Sequence, residues 1–200
     1  MMKRFALLAA TLLLASPGWA DGLYALGELG QSKFNLDTSD VDNLATQVGG
    51  TFSKGETDTA YKLQVGYQFS PYWAVEGGYV DLGKASYNFA TRLASAQGEY
   101  KASGLNAAVL GMWPLNDQFS LFGKVGAIYA HVKAEGSNSL GESESFSSNG
   151  LKPAWGIGVN WDISAQMAAR AEYEQFHELG NTETGKTTVD LASVGLAYRF

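Results

Sequence analysis

Beyond Asp21 the chain alternates apolar and polar side chains at every second position, and no helical period interrupts the pattern. In "YKLQVGYQF" at 61–69, for example, Tyr61, Leu63, Val65, Tyr67 and Phe69 share one side of an extended segment, opposite Lys62, Gln64, Gly66 and Gln68. A period of two is the signature of a strand with two unlike faces. Eight such segments are predicted: 22–32, 59–70, 73–83, 99–113, 119–133, 151–163, 166–176 and 188–200. Three connections are tight and carry turn residues, "SPYW" at 70–73, "PLND" at 114–117 and "DISA" at 162–165. The other four, 33–58, 84–98, 134–150 and 177–187, are rich in Ser, Gly, Asn, Asp, Glu and Thr and read as long polar loops, the third of them flexible. Tight turns on one rim and long connections on the other predict an all-β fold, an eight-stranded antiparallel up-and-down barrel. The 24 glycines among 200 residues suit such tight curvature.

The charges decide which face meets which environment. Val75, Gly77 and Tyr79 oppose Glu76, Gly78 and Val80; Trp155, Ile157, Val159 and Trp161 oppose Gly156, Gly158 and Asn160; Met167, Ala169, Ala171 and Tyr173 oppose Arg170, Glu172 and Glu174. A soluble lipocalin would turn the apolar faces inward around a ligand. A transmembrane barrel puts an apolar band outside, aromatic girdles at both interfaces and a polar interior within. Tyr67, Trp73, Trp113 and Trp161 fall close to the tight turns, where an interfacial girdle belongs, and support the membrane reading. In the last segment, "VGLAYRF", Val194, Leu196, Tyr198 and Phe200 point one way and Ser193, Gly195, Ala197 and Arg199 the other. This strand must close the barrel against the first.

The opening "MMKRFALLAATLLLASPGWA" has the three parts of a secretory signal: Lys3 and Arg4, an apolar run from Phe5 to Ala15, and Gly18-Trp19-Ala20 before the cleavage point. That run is too short for the roughly 20 residues of a membrane-spanning helix. The expected organisation is a cleaved signal peptide at 1–20 and a barrel domain at 21–200. The mature chain then carries 12 basic against 20 acidic residues, with no basic cluster to replace counterions on a nucleic acid. Zero cysteines exclude disulfides, thiol nucleophiles and thiolate zinc sites.

The stretches "YKLQVGYQFSPYWAVEGGYVDLG" at 61–83, "YKASGLNAAVLGMWPLNDQFSLFGKVG" at 100–126, "WGIGVNWDISAQMAARAEYEQF" at 155–176 and "LASVGLAYRF" at 191–200 resemble the membrane domain of OmpA and its small-barrel relatives in the Gram-negative outer membrane. The resemblance implies localisation in the outer membrane, contact with its lipid and lipopolysaccharide, and help from periplasmic chaperones and the barrel-assembly machinery during biogenesis. It implies an assembly signal in Tyr198 and Phe200, since outer-membrane barrels very often end on phenylalanine. It also implies an interior charge network, with Glu76 and Arg170 in the principal pair and Lys62, Lys124 and Glu172 as inward neighbours. A second lysine–glutamate pair of the family falls on Leu110 and Asn160, so it is absent, which weakens any carry-over of pore activity.

Catalytic signals are thin. His131 in "YAHVKAE" has no serine two positions on, and His177 in "QFHELGN" has Glu178 beside it but no nucleophile placed by spacing. Both read as surface loop histidines. "GGTFSKG" at 49–55 falls in a polar loop, not between a strand and a helix as a phosphate loop requires. Asp37, Asp40 and Asp42 read as a solvated acidic loop, their spacing matching no calcium loop. No metal or cofactor is expected. Two functions stay open: a non-enzymatic barrel that supports the envelope and presents four loops to surface ligands, or a narrow low-conductance pore. The packing of the lumen separates them.

Overall fold

The computed structural model describes residues 22–35, 51–90, 95–138, 143–181 and 184–200. The predicted signal segment and Asp37, Asp40 and Asp42 lie outside the described residues. The strands are β1 (Leu23–Asn35), β2 (Thr51–Gly55), β3 (Thr57–Ser70), β4 (Trp73–Ala90), β5 (Ser95–Pro114), β6 (Phe119–Asn138), β7 (Ser143–Asp162), β8 (Met167–Leu179) and β9 (Thr187–Arg199). Every pairing is antiparallel. Only Glu56 separates β2 from β3, and both pair with β4, so nine strands build eight staves. Sequential neighbours pair around the wall, and β1 pairs β9 from Tyr24–Arg199 to Asn35–Thr188, closing the cylinder.

The alternation works as the charges required. Lys62, Gln64, Glu76, Arg170, Glu172 and Glu174 are buried in the lumen, whereas Leu63, Val65, Ile157, Val194 and Leu196 stand exposed on the outside. The tight turns have their expected chemistry. The Tyr72 amide donates to Ser70 Oγ, the amides of Gln118 and Phe119 donate to Asn116 Oδ1, and the Met167 amide donates to Ser164 Oγ. Trp73, Trp113, Trp161 and Tyr67 are all exposed at this end, and Phe119 stacks on Trp161 with ring centroids 6.1 Å apart. Tyr61, Tyr79, Tyr129 and Tyr173 form a second exposed set farther up the wall.

The far rim differs from the sequence expectation in two ways. Residues 84–90 and 95–98 are the upper parts of β4 and β5, and 134–138 and 143–150 continue β6 and β7, so these stretches form ladders where loops were expected. Thr51–Gly55, assigned to a polar loop, is β2 against the top of β4. Ser and Gly content suggested loops, but long hairpins supply backbone partners whatever the side chains. At 20 residues each, β5, β6 and β7 are about twice the ~10 residues that cross a bilayer, so one side of the barrel rises well above it.

The second difference is inside. The charges of the lumen gather at mid-height, and Ser32, Thr184 and Thr187 are buried polar residues above them. The rest of the lumen's upper part is filled by apolar side chains, among them Phe34, Leu82, Tyr100, Ile128, Phe176 and Leu191.

The outer faces predict a depth-dependent response to charge. Arg at Val65 or Ile157, both exposed on the band, should destabilise by about 2–4 kcal/mol, while Ser145→Arg, high on β7, should cost far less. Denaturant titration of the protein in lipid vesicles reads this, and equal costs would mean the faces are misassigned.

Candidate functional site

The lumen's middle layer gathers charges from five strands, β1, β3, β4, β6 and β8. Arg170 Nη1 lies 2.5 Å from Glu76 Oε1 and 4.0 Å from Glu172 Oε2, while its Nε donates to Asn160 Oδ1 at 2.8 Å. Lys124 Nζ lies 2.8 Å from Glu172 Oε1 and 2.8 Å from Glu174 Oε2. Lys62 Nζ meets Glu28 Oε2 at 2.7 Å, Glu174 Oε2 at 3.2 Å and Glu172 Oε1 at close contact. The five residues expected from the sequence therefore meet in one cluster, with Glu172 touching all three cations. Buried charges survive only when paired, since one isolated ion costs several kcal/mol.

Three more members join the five, of which the sequence placed only Glu174 on an inward face. Glu28, 3% exposed, joins from β1; Glu174 bridges both lysines; and Tyr24 donates its hydroxyl to Glu76 Oε1 at 2.6 Å. Glu28 and Tyr24 have inward parity on the first strand, which could have flagged them. Asn160, where the family's second carboxylate would stand, accepts from Arg170 instead.

Two glycines make room for this layer. A Cβ on Gly66 would sit 2.2 Å from Tyr24 Cζ, and one on Gly158 would sit 2.4 Å from Phe122 Cζ. Each aromatic ring thus lies flat across a neighbouring strand's bare backbone. Phe122 in turn lies under the Arg170 guanidinium, 4.7 Å from its ring centroid, a cation–π contact that helps hold the charge in place.

Above this layer the apolar plug begins. Phe34 packs edge-on against Tyr100 at 6.0 Å, and the Tyr100 hydroxyl donates to the Leu179 carbonyl at 2.9 Å. Below it Leu110 packs with Ala74 and Phe122, and a cavity of about 310 Å³ opens among the tight turns, lined by Tyr24, Asn160, Arg170 and Arg199.

His131 lies on β6, within the segment 119–133 expected as a strand, and His177, expected where the seventh segment meets the last loop, lies on β8. His177 is half-buried on β8. His131 on β6 stands in register between Ser103 of β5 and Asn149 of β7, with Nδ1 2.6 Å from Asn149 Oδ1. The pairing supplies the serine neighbour that spacing along the chain could not. Among the described residues, no hydrogen bond joins Ser103 to the ring. Tyr198 and Phe200 lie outside on the closing strand, their rings 5.3 Å apart, and the Phe200 amide donates to the Leu23 carbonyl.

A closed sheet with an apolar, aromatic-rimmed exterior and an interior that holds paired charges is the architecture of an outer-membrane β-barrel. The chain matches the OmpA-like transmembrane domain over residues 19–200 and belongs to that family. It is 30% identical over 180 residues to Outer membrane protein A of Escherichia fergusonii, covering 88% of this chain and 48% of that protein. Outer membrane protein A of Klebsiella pneumoniae is 28% identical over 180 residues, with 88% and 50% covered. The chain thus spans about half the length of these relatives. Among solved structures, Ail of Yersinia pestis aligns over 90% of this chain and 99% of its own at 21% identity, with TM-score 0.52. Neisserial surface protein A aligns over 90% and 97% at 12% identity, with TM-score 0.58. At these identities the likeness is one of fold. The protein resides in the outer membrane.

Removing one partner from the lumen cluster should cost more than removing two. Glu76→Ala strands Arg170 and should destabilise by about 3–5 kcal/mol, with part recovered in the Glu76→Ala, Arg170→Ala double variant. A double-mutant cycle of unfolding free energies checks this. Gly66→Ala should also destabilise, by about 1–3 kcal/mol, because the added methyl collides with the Tyr24 ring.

Proposed function

We propose that this protein is a non-enzymatic barrel that contributes to envelope integrity and presents its far rim for surface interactions. The observation that carries the reading is the filled lumen. An apolar plug of Phe34, Leu82, Ile128, Phe176 and Leu191 sits above a layer of paired charges, and Leu110 and Phe122 pack below it. A conducting path would need a chain of water past both layers. The Glu76–Arg170 pair and its neighbours Lys62, Lys124 and Glu172 are then structural, holding the strands in one arrangement. Residues 1–20 act as a cleaved export signal, Tyr198 and Phe200 as the signal read by the assembly machinery, and periplasmic chaperones escort the chain. Ail has been crystallised in complex with the heparin analogue sucrose octasulfate. Binding of surface ligands is assigned here to the far rim.

Planar-bilayer recording of the refolded protein tests the sealed lumen. A silent bilayer is expected, both for the wild type and for the Glu76→Ala, Arg170→Ala variant when folded. Discrete current steps that change in the variant would instead make the chain a narrow pore gated by that pair. The Ser103–His131–Asn149 row gives the non-enzymatic reading its own test. Phospholipid vesicles containing the protein should release no fatty acid, and release abolished by Ser103→Ala would move the chain to the acyl hydrolases.

A further inference from the structure

Above the membrane the wall is uneven, because its strands differ in length. β7 pairs with β6 along its full run, from Phe119–Trp161 to Ser137–Ser143, without a register shift. Its pairing with β8 stops at Ala154–Phe176, since β8 ends at Leu179. Among the described residues, Ser143 to Pro153 therefore have a strand neighbour on one side and none on the other. Successive residues of a strand turn their backbone groups to opposite sides. The Asp162 amide donates to Gln118 on the β6 side, and the Ile163 amide to Met167 on the β8 side. Followed up β7, that alternation gives the even-numbered residues to β6. Ser145, Ser147, Asn149 and Leu151 then turn their N–H and C=O groups to the open edge.

Long exposed edges are normally blunted by lysines, prolines or bulges, because their unmet donors and acceptors template further pairing. Here Pro153 closes only the lower end, where its missing N–H falls on the edge side. The stretch above it, "ESFSSNGLK" at 144–152, carries one charge at each end and none between. Glu144, Phe146, Ser148, Gly150 and Lys152 share the face turned to the barrel axis, since the same rows of β6 hold the buried Ile128, Ala130 and Val132. Glu144 and Lys152 form no ion pair among the described residues. Glu178, the carboxylate that feels Lys152, is itself paired with Lys186 at 3.1 Å. Between the two charges Phe146 is 44% exposed.

Height and symmetry decide what fits there. Leu151 stands in register with Tyr129 at the top of the exposed apolar band, with Asn149 and His131 one row higher. From Leu151 the edge climbs about 20 Å to Ser143 along the membrane normal, given ~3.4 Å per residue and ~40° of tilt. A second copy of the chain does not fit. Two β7 edges pair antiparallel only about an axis perpendicular to the sheet, which lies in the membrane plane and puts the partner in a facing bilayer. With Ser148 at the centre only about 8 Å above Leu151, the two bilayers would stand about 16 Å apart and each hairpin would enter the other. A copy in the same bilayer is turned about the membrane normal, so strands tilted by ~40° would cross at about 80° instead of pairing.

We propose that the β7 edge takes up an extended segment of another protein as an added antiparallel strand. The backbone groups of Ser145, Ser147, Asn149 and Leu151 supply the affinity, and the axis-facing side chains set the register. Those side chains fall at the pairs that share no hydrogen bonds, where opposite side chains stand closest. A segment running upward meets Lys152 first and Glu144 eight residues later, so it carries an acidic residue at its first position and a basic one at its ninth. Its third residue lies over the bare backbone of Gly150, which leaves room for an aromatic ring, and its seventh opposes Phe146, which favours a β-branched one. The assignment deepens the far-rim role proposed above and rests on it.

The test measures, by fluorescence anisotropy, binding of labelled peptides to the full chain in neutral-lipid nanodiscs. The matched peptide is Glu-Thr-Tyr-Thr-Val-Thr-Val-Thr-Lys. A second has its first and last residues exchanged, and a third is the matched peptide N-methylated at its fourth and sixth residues, whose amides face β7. The wild type should bind the matched peptide about tenfold or more tightly than either of the others. The Glu144→Lys, Lys152→Glu variant should reverse the preference between the first two. Ser147→Pro removes one donor from the edge while leaving the β6 ladder intact, and should weaken the matched peptide about fivefold. A wild type that binds the exchanged or the methylated peptide equally well, or a charge-swapped variant that keeps the original preference, would overturn the proposal. Should Ser147→Pro fail to fold, the three peptides on the wild type still decide. Failure of the non-enzymatic barrel reading would appear as current or released fatty acid in the bilayer and vesicle assays. A silent, folded barrel that takes none of the peptides overturns the edge assignment alone.

Discussion

A backbone amide or carbonyl left unpaired in hydrocarbon costs several kcal/mol, and the pairing of β1 with β9 removes that cost from the whole wall at once. Each inner stave gains partners from its neighbours along the chain, but the first and last can satisfy theirs only in each other. Their register runs the full length of β1, from Tyr24–Arg199 to Asn35–Thr188. The closure reaches the end of the chain, where the Phe200 amide donates to Leu23. Phe200 lies on the outside of the wall, with its ring against Tyr198.

Closure creates the next constraint, an interior too narrow for bulk water. The sequence fills it in layers. Apolar side chains occupy most of the upper part, charges from five strands meet in the middle, and Ala74, Leu110 and Phe122 pack below. The bare backbones of Gly66 and Gly158 let Tyr24 and Phe122 lie across them, where larger residues would force the rings into the charge layer.

Much of this was legible in the sequence because a strand's period of two is local. One charged residue per turn of the pattern settles which face is inside, so Lys62, Glu76, Lys124, Arg170 and Glu172 could be named as inward from parity and family position together. Glu28 and Tyr24 escaped because their partners are strands away, and only register shows which inward residues share a height. The hairpin extensions escaped for another reason. Ser, Gly and Asn at 84–90, 95–98, 134–138 and 143–150 are poor strand formers by composition, yet long antiparallel neighbours give their backbones ladder partners.

The middle layer also bears on why the barrel adopts one register and not another. A one-residue slip of β8 would carry Arg170, Glu172 and Glu174 from the lumen to the lipid face, since the side-chain period is two. A basic residue such as Arg170 there costs about 2–4 kcal/mol near the midplane, and the carboxylates somewhat less. The lysines and Glu76 left inside would lose their partners as well. Against those costs, the apolar layers above and below discriminate weakly, because Ala, Val and Leu are tolerable on either face. Buried ion pairs often add little net stability over well-packed apolar groups. Their strength here lies in the alternatives they forbid, and a charge layer at one height, shared by β1, β3, β4, β6 and β8, penalises a slip in any of those strands.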